Sequence, residues 1–140
     1  MSAVYREYKV EADDFTRAGE ASADIKRTLK QLGVSSTVLR RVAVACYEVE
    51  INLVIHSDGG TLTLKVDDEG VHLKSQDVGP GIADIDQAMR EGYSTADEEA
   101  RSLGFGAGMG LPNMKRNADR FAIKSRLGEG TTIDMMFALA

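Results

Sequence analysis

Leu62, Leu64 and Val66 alternate with Thr61, Thr63 and Lys65, a period of two that predicts a half-buried β-strand. Asp67-Asp68-Glu69-Gly70 supplies hairpin chemistry, and Val71, Leu73 and Ser75 carry the same parity into a second strand, pointing Asp77 inward at its end. The pattern returns near the C-terminus. Phe121, Ile123, Ser125 and Leu127 share one face, Gly128-Glu129-Gly130 turns the chain, and Ile133, Met135, Phe137 and Leu139 form the inner face of a last strand. Val4 to Val10 is a shorter β-prone segment. Elsewhere the spacing is helical: Ala12 to Leu32 reads as an amphipathic helix closed by Gly33, and Ser35 or Ser36 can cap a second helix running to about His56. Ser57 to Gly60 is turn chemistry, Ile82 to Arg90 predicts a short helix, and Glu91 to Leu103 has no strong period. Pro112 suits the first turn of a helix reaching about Arg120. With no repeat or linker, residues 1–140 predict one α+β domain, a two-layer sandwich whose antiparallel-rich sheet carries helices on one face.

The second helix holds the first chemistry. At about 100° per residue, Leu39, Val42, Cys46, Val49 and Leu53 gather on one side, while Val44, Ile51 and Ile55 occupy much of another. A helix apolar over most of its circumference is largely buried. Glu48, Asn52 and His56 form a polar stripe at i, i+4 and i+8 between those flanks. A carboxylate in such a place needs a partner, a metal or a wet cavity. The stripe is therefore either a ladder satisfied by neighbouring backbone or a site in which Asn52 offers an oxygen to Mg²⁺ and Glu48, one turn earlier, serves as a general base.

Two further segments narrow the choice. Asp77 is followed at once by Val78-Gly79-Pro80-Gly81, so a buried acceptor is expected beside glycines (Gly79, Gly81) that permit close backbone approach to a planar ring. An ordinary Asp-x-Gly-Pro-Gly turn has the same composition. Gly104, Gly106, Gly108 and Gly110 alternate directly before the helix that starts near Leu111 and Pro112, where backbone N–H groups and the helix dipole attract phosphate. Neither of the common glycine-rich phosphate motifs is present, and a glycine hinge is also what a closing lid requires.

Composition changes the picture by exclusion. A net charge of −5 leaves no basic footprint for nucleic acid. One cysteine, Cys46, permits no disulfide within the chain and sits on the apolar side of its helix, where it reads as a small hydrophobe. No apolar run approaches the roughly 18 residues of a membrane span, and the N-terminus does not read as a signal peptide, so a cytoplasmic protein without a membrane segment is expected.

In this order the segments resemble the GHKL superfamily of ATP-binding proteins, over nearly the whole chain. E48-V-E-I-N52-L-V-I-H56 looks like its asparagine box, D77-V-G-P-G81 like its first glycine box, G104-F-G-A-G-M-G110 like its second, and G128-E-G-T131 like its closing Gly-x-Gly-Thr element. The resemblance implies a Bergerat-type fold with a mixed, mostly antiparallel sheet. It also implies ATP and Mg²⁺ as cofactors, Glu48 as the catalytic base and Asn52 as the Mg²⁺ ligand. Asp77 with Thr131 would read adenine, and Gly79, Gly81, Gly104, Gly106, Gly108, Gly110 and Leu111 would complete the nucleotide contacts. Within the superfamily, E91-G-Y-S-T95 and the segment from Gly104 to Arg116 are most similar to the small anti-sigma-factor and stress-switch serine kinases. That likeness implies a protein serine/threonine kinase acting on a STAS-domain antagonist, with Ser94 to Leu103 as lid or substrate contact. It also implies a sigma factor or other regulator as a further partner, and a homodimer. A nucleotide-gated binding protein with little catalysis, or a bare ATPase, would use the same residues. No helix bearing a phosphoacceptor histidine is present, which sets the chain apart from sensor histidine kinases.

Overall fold

The computed structural model describes residues 3–14, 16–55, 59–79, 89 and 110–139. Five strands form one sheet: β1 (Val4–Val10), β2 (Gly60–Val66), β3 (Gly70–Asp77), β4 (Arg120–Arg126) and β5 (Gly130–Ala138). Three helices accompany them: α1 (Glu20–Gln31), α2 (Ser36–Ile55) and α3 (Gly110–Asn117). The strand order is β1-β2-β3-β5-β4, and every pairing is antiparallel. The mixed sheet implied by the resemblance is therefore wholly antiparallel among the described residues.

Register follows from parity. Leu64 lies opposite Leu73, which lies opposite Met135, which faces Phe121; Leu62, Ser75, Ile133 and Ile123 form the next row. A one-residue slip would turn all of these to water, so the apolar alternation pins the pairing. Leu62, Leu64, Val66, Val71, Leu73, Ile133, Met135 and Phe137 are buried and share a core with Ile25, Leu29, Val42, Cys46, Val49 and Leu53 from the two long helices. The opposite sheet face carries Lys65, Lys74 and Gln76 in the open. This is the expected two-layer arrangement, with helices on the apolar side.

The helix expected over Ala12 to Leu32 begins only at Glu20. Asp13 has φ 58°, its N–H donates to the Val54 carbonyl at 2.8 Å, and Gly19 has φ 99°. The preceding residues thus fold back onto α2 instead of continuing the spiral. Gly33 ends α1 as expected, with φ 80° and the Val34 N–H closing onto the Leu29 carbonyl at 3.1 Å. Ser35 caps α2 through Oγ, which accepts the Val38 N–H at 3.4 Å. Three other expectations are corrected. Val44 is 38% exposed, so the second apolar side of α2 is not closed along its length. The helix after Pro112 stops at Asn117, because the Asp119 N–H already pairs with Met136 of the sheet at 2.9 Å. Leu127 extends the alternation of β4 in sequence but lies past the strand end, 68% exposed in the turn. His56 and almost all of the helix expected over Ile82 to Arg90 lie outside the described residues, as does the lid segment Ser94 to Leu103.

Candidate functional site

The α2 helix presents two glutamates two residues apart with opposite surroundings. Glu50 is 2% exposed, and its carboxylate turns into the molecule. Its oxygens accept the N–H groups of Gly19 at 3.0 Å, Ala21 at 3.2 Å and Ser22 at 2.9 Å, together with the Ser22 hydroxyl. Gly19 carries no side-chain cap of its own, so Glu50 satisfies the first turn of α1 from another helix and sets a negative charge against its dipole. Glu50 also stands near Cys46, whose thiol is pushed up to about 12, chiefly by burial. That agrees with an inert, packed cysteine.

Glu48 and Asn52 lie on another face of α2 and are only half-buried. Glu48 Oε1 accepts from the Asn113 side-chain amide at 3.4 Å, which links it to α3. Met114 and Leu111 anchor α3 in the core, both buried. Two polar clamps fix its far end. Arg41 of α2 donates through Nε to the Asn117 carbonyl at 2.9 Å and pairs with Asp119 at 3.1 Å. The Ala138 N–H at 2.7 Å and Arg41 together hold the Asp119 carboxyl below the usual carboxylate range.

Asp77 and Thr131, 54 positions apart, meet where β3 and β5 end side by side. The Thr131 N–H donates to Asp77 Oδ1 at 2.8 Å, and the Thr131 hydroxyl shares a hydrogen bond with Ser125 Oγ at 2.8 Å. Gly130 makes this approach feasible: a Cβ there would stand 2.2 Å from the Asp77 carbonyl and 2.9 Å from Oδ1. Thr131 is buried and Asp77 half-buried, with exposed Val78 and half-exposed Gly79 continuing from the strand.

Of the residues expected to bind nucleotide, Leu111 packs in the core, and Gly110 is the first residue of α3. Gly81, Gly104, Gly106 and Gly108 lie outside the described residues. Asn52, one turn beyond Glu48, is the residue expected to offer a side-chain oxygen to Mg²⁺. Among the described residues, the one cluster of three His, Cys, Asp or Glu side chains close enough to share an ion is Asp67, Glu69 and His72 at the β2–β3 turn. An ion held by Asn52 would therefore take most of its oxygens from phosphate and water, as Mg²⁺ does. Sequence reasoning missed both Glu50 and Asn113. Glu50 had a visible signal, since it continues the buried row Cys46–Glu50–Val54 at four-residue spacing. Asn113 had none, being 65 positions from its partner.

No described helix is long and apolar enough to cross a membrane. Residues 37–140 match the family of histidine kinase-, DNA gyrase B- and HSP90-like ATPases. The serine/threonine-protein kinase RsbT of Bacillus subtilis is 33% identical over 112 residues, covering 77% of this chain and 78% of that protein. An anti-sigma F factor of Geobacillus thermodenitrificans is 28% identical over 119 residues, 81% of this chain and 78% of its own. One from Clostridium acetobutylicum is 29% identical over 134 residues, 91% and 85% respectively.

Proposed function

This chain belongs to the histidine kinase-, DNA gyrase B- and HSP90-like ATPase family, and on that premise we propose that it is a protein serine/threonine kinase of the anti-sigma, partner-switching type. Its substrate in this reading is a serine or threonine hydroxyl on a STAS-domain antagonist, with ATP as phosphoryl donor and Mg²⁺ as cofactor. Membership of an ATPase family implies ATP binding; the transfer to a protein hydroxyl is our proposal. The observation that carries it is the contrast between the two glutamates of α2. Glu50 is consumed by the α1 backbone, whereas Glu48 is half-buried beside Asn52 and its described contact is one amide at 3.4 Å.

Glu48 accepts the proton of the attacking hydroxyl as that oxygen bonds to the γ-phosphorus, the bond to the β,γ-bridging oxygen breaks, and ADP departs with the electron pair. Mg²⁺, when bound, neutralises charge on the phosphate oxygens; Asn52 would hold it. Asp77 takes the adenine amino group as acceptor, kept in place by the Thr131 N–H at 2.8 Å. The remaining charge falls to the glycine run and the first turn of α3, where N–H groups face anions.

The anti-sigma F factor relatives favour a second reading, in which nucleotide gates the capture of a sigma factor or other regulator with little catalysis. One assay separates the two. The protein is incubated with Mg²⁺ and ATP labelled at the γ-phosphate, with candidate STAS-domain proteins, beside Glu48→Ala. Label on a STAS serine or threonine, lost in Glu48→Ala while ATP still binds, is the expected result. Full transfer by Glu48→Ala removes the base assignment. Tight ATP binding with no labelled protein favours the capture reading, and free phosphate alone favours a bare ATPase.

A further inference from the structure

We infer that Asn113 is a positioning residue for Glu48, holding the carboxylate so that one oxygen remains available to take a proton. The inference rests on the reading of Glu48 as a base. Three contacts make Asn113 a directed group. Its Oδ1 accepts from Arg116 Nη1 at 3.1 Å, one turn along α3. An amide whose oxygen is occupied by a guanidinium presents its NH₂ to the other side, and there Nδ2 donates to Glu48 Oε1 at 3.4 Å. Its backbone carbonyl accepts the Asn117 side-chain amide at 2.8 Å, locking the turn from which the side chain projects.

The frame behind these contacts is rigid where it needs to be. Met114, the next residue, is fully buried, and Arg41 ties the end of α3 back to α2 through the Asn117 carbonyl and Asp119. Both partners of the Asn113–Glu48 contact therefore stand on helices fixed to each other. Asn113 is neutral, so it orients the carboxylate without the strong attraction that an arginine or lysine would exert on its proton affinity. The bond occupies Oε1; among the described residues, Oε2 has no hydrogen-bond partner. A base held by one oxygen and open at the other has the orientation that proton abstraction requires. Asn113 stands three residues past Gly110, the first residue of α3, so it projects from the first turn of that helix.

The test uses the whole chain with Asn113→Ala and Asn113→Asp, beside wild type and Glu48→Ala. Asn113→Ala is expected to lower kcat for phosphoryl transfer about tenfold, the worth of one hydrogen bond to a charged group, with the ATP dissociation constant within about twofold of wild type. Asn113→Asp sets a second carboxylate against Glu48, so the acid limb of its pH–rate profile is expected to move to higher pH. A merely structural role would weaken ATP binding and folding together and leave that limb in place. Unchanged kcat in Asn113→Ala, or a superimposable profile in Asn113→Asp, overturns the inference. A second measurement is independent of turnover: in ¹⁵N-labelled protein, the Asn113 side-chain amide proton resonances are expected to shift in Glu48→Gln. If Glu48→Ala transfers phosphate normally, the base assignment fails whatever the resonance does; if the resonance is unmoved, the Asn113 contact fails whatever the kinetics of Glu48→Ala.

Discussion

Glu50→Ala should cost this fold more than any change at Glu48, although the two residues are chemically identical and two positions apart. The Glu50 carboxylate, 2% exposed, accepts three backbone N–H groups at 2.9 to 3.2 Å and one hydroxyl. Hydrogen bonds to a charged group contribute roughly 1.5 to 3 kcal/mol each, so the three N–H groups alone represent a gross loss of about 4.5 kcal/mol at the lower value. Favourable interaction with the α1 dipole adds up to ~2 kcal/mol. Two effects work against this. Removing the carboxylate also removes the cost of burying its charge. A cleft of about 370 Å³ between β1 and α1, lined in part by Glu50, lets water reach some of the abandoned donors. The net expectation is a loss of about 3 kcal/mol for Glu50→Ala and ~2 kcal/mol for Glu50→Gln, which keeps one acceptor oxygen but turns an NH₂ toward N–H groups. Urea titration followed by far-ultraviolet circular dichroism measures it. With a slope of ~1.5 kcal/mol per molar urea, the Glu50→Ala midpoint should fall by ~2 M. Glu48→Ala, losing one 3.4 Å contact at a half-buried position, should change stability by less than ~1 kcal/mol. A Glu50→Ala loss below ~1 kcal/mol, or equal losses at the two glutamates, would refute the capping argument.

Asp77→Asn retains an oxygen for the Thr131 N–H, so it should fold normally while binding ATP at least ~10-fold more weakly, because an NH₂ group replaces an acceptor facing the adenine amine; calorimetric titration giving unchanged affinity would count against the adenine assignment. Gly130→Ala drives a methyl group into the Asp77 carbonyl, 2.2 Å away, at a φ of 120° that side chains rarely adopt, so thermal unfolding should show a loss of about 2 to 3 kcal/mol together with weakened ATP binding. Asp119, held below the usual carboxylate range by the Ala138 N–H and Arg41, contributes stability that is fully present above its unfolded value of about 4 and disappears as pH falls through its lower folded value. Asp119→Asn should therefore flatten the acid side of the stability–pH curve below about pH 4, and curves of equal steepness would remove Asp119 from that role.

The strand assignments were legible because a period of two has a single physical cause: one sheet face is buried and the other is not. Parity alone therefore points Asp77 inward; that Gly130, read from the sequence as part of a turn, allows the close approach of Asp77 to Thr131 came only from the structure. Where the expectation failed, a local pattern was outweighed by a distant partner. Ala12 to Gly19 has helical spacing, yet its described residues form no helix, because Val54 and Glu50 of α2 take the N–H groups of Asp13 and Gly19. Leu127 continues an alternation that the Gly128 turn has already ended.

The sequence by itself determined the α+β class, the strand faces, the helix ends at Gly33 and at Ser35 or Ser36, and the candidates Glu48, Asn52 and Asp77, since each follows from spacing, local backbone preference or a run of neighbouring residues. Only the tertiary structure showed that Glu50, two positions from Glu48, is taken up by the α1 backbone, and that Asn113 stands beside Glu48. Local periodicity says which face of α2 a residue is on; what meets that face depends on α1 and α3, which approach from elsewhere in the chain and bring donors that no spacing within α2 encodes.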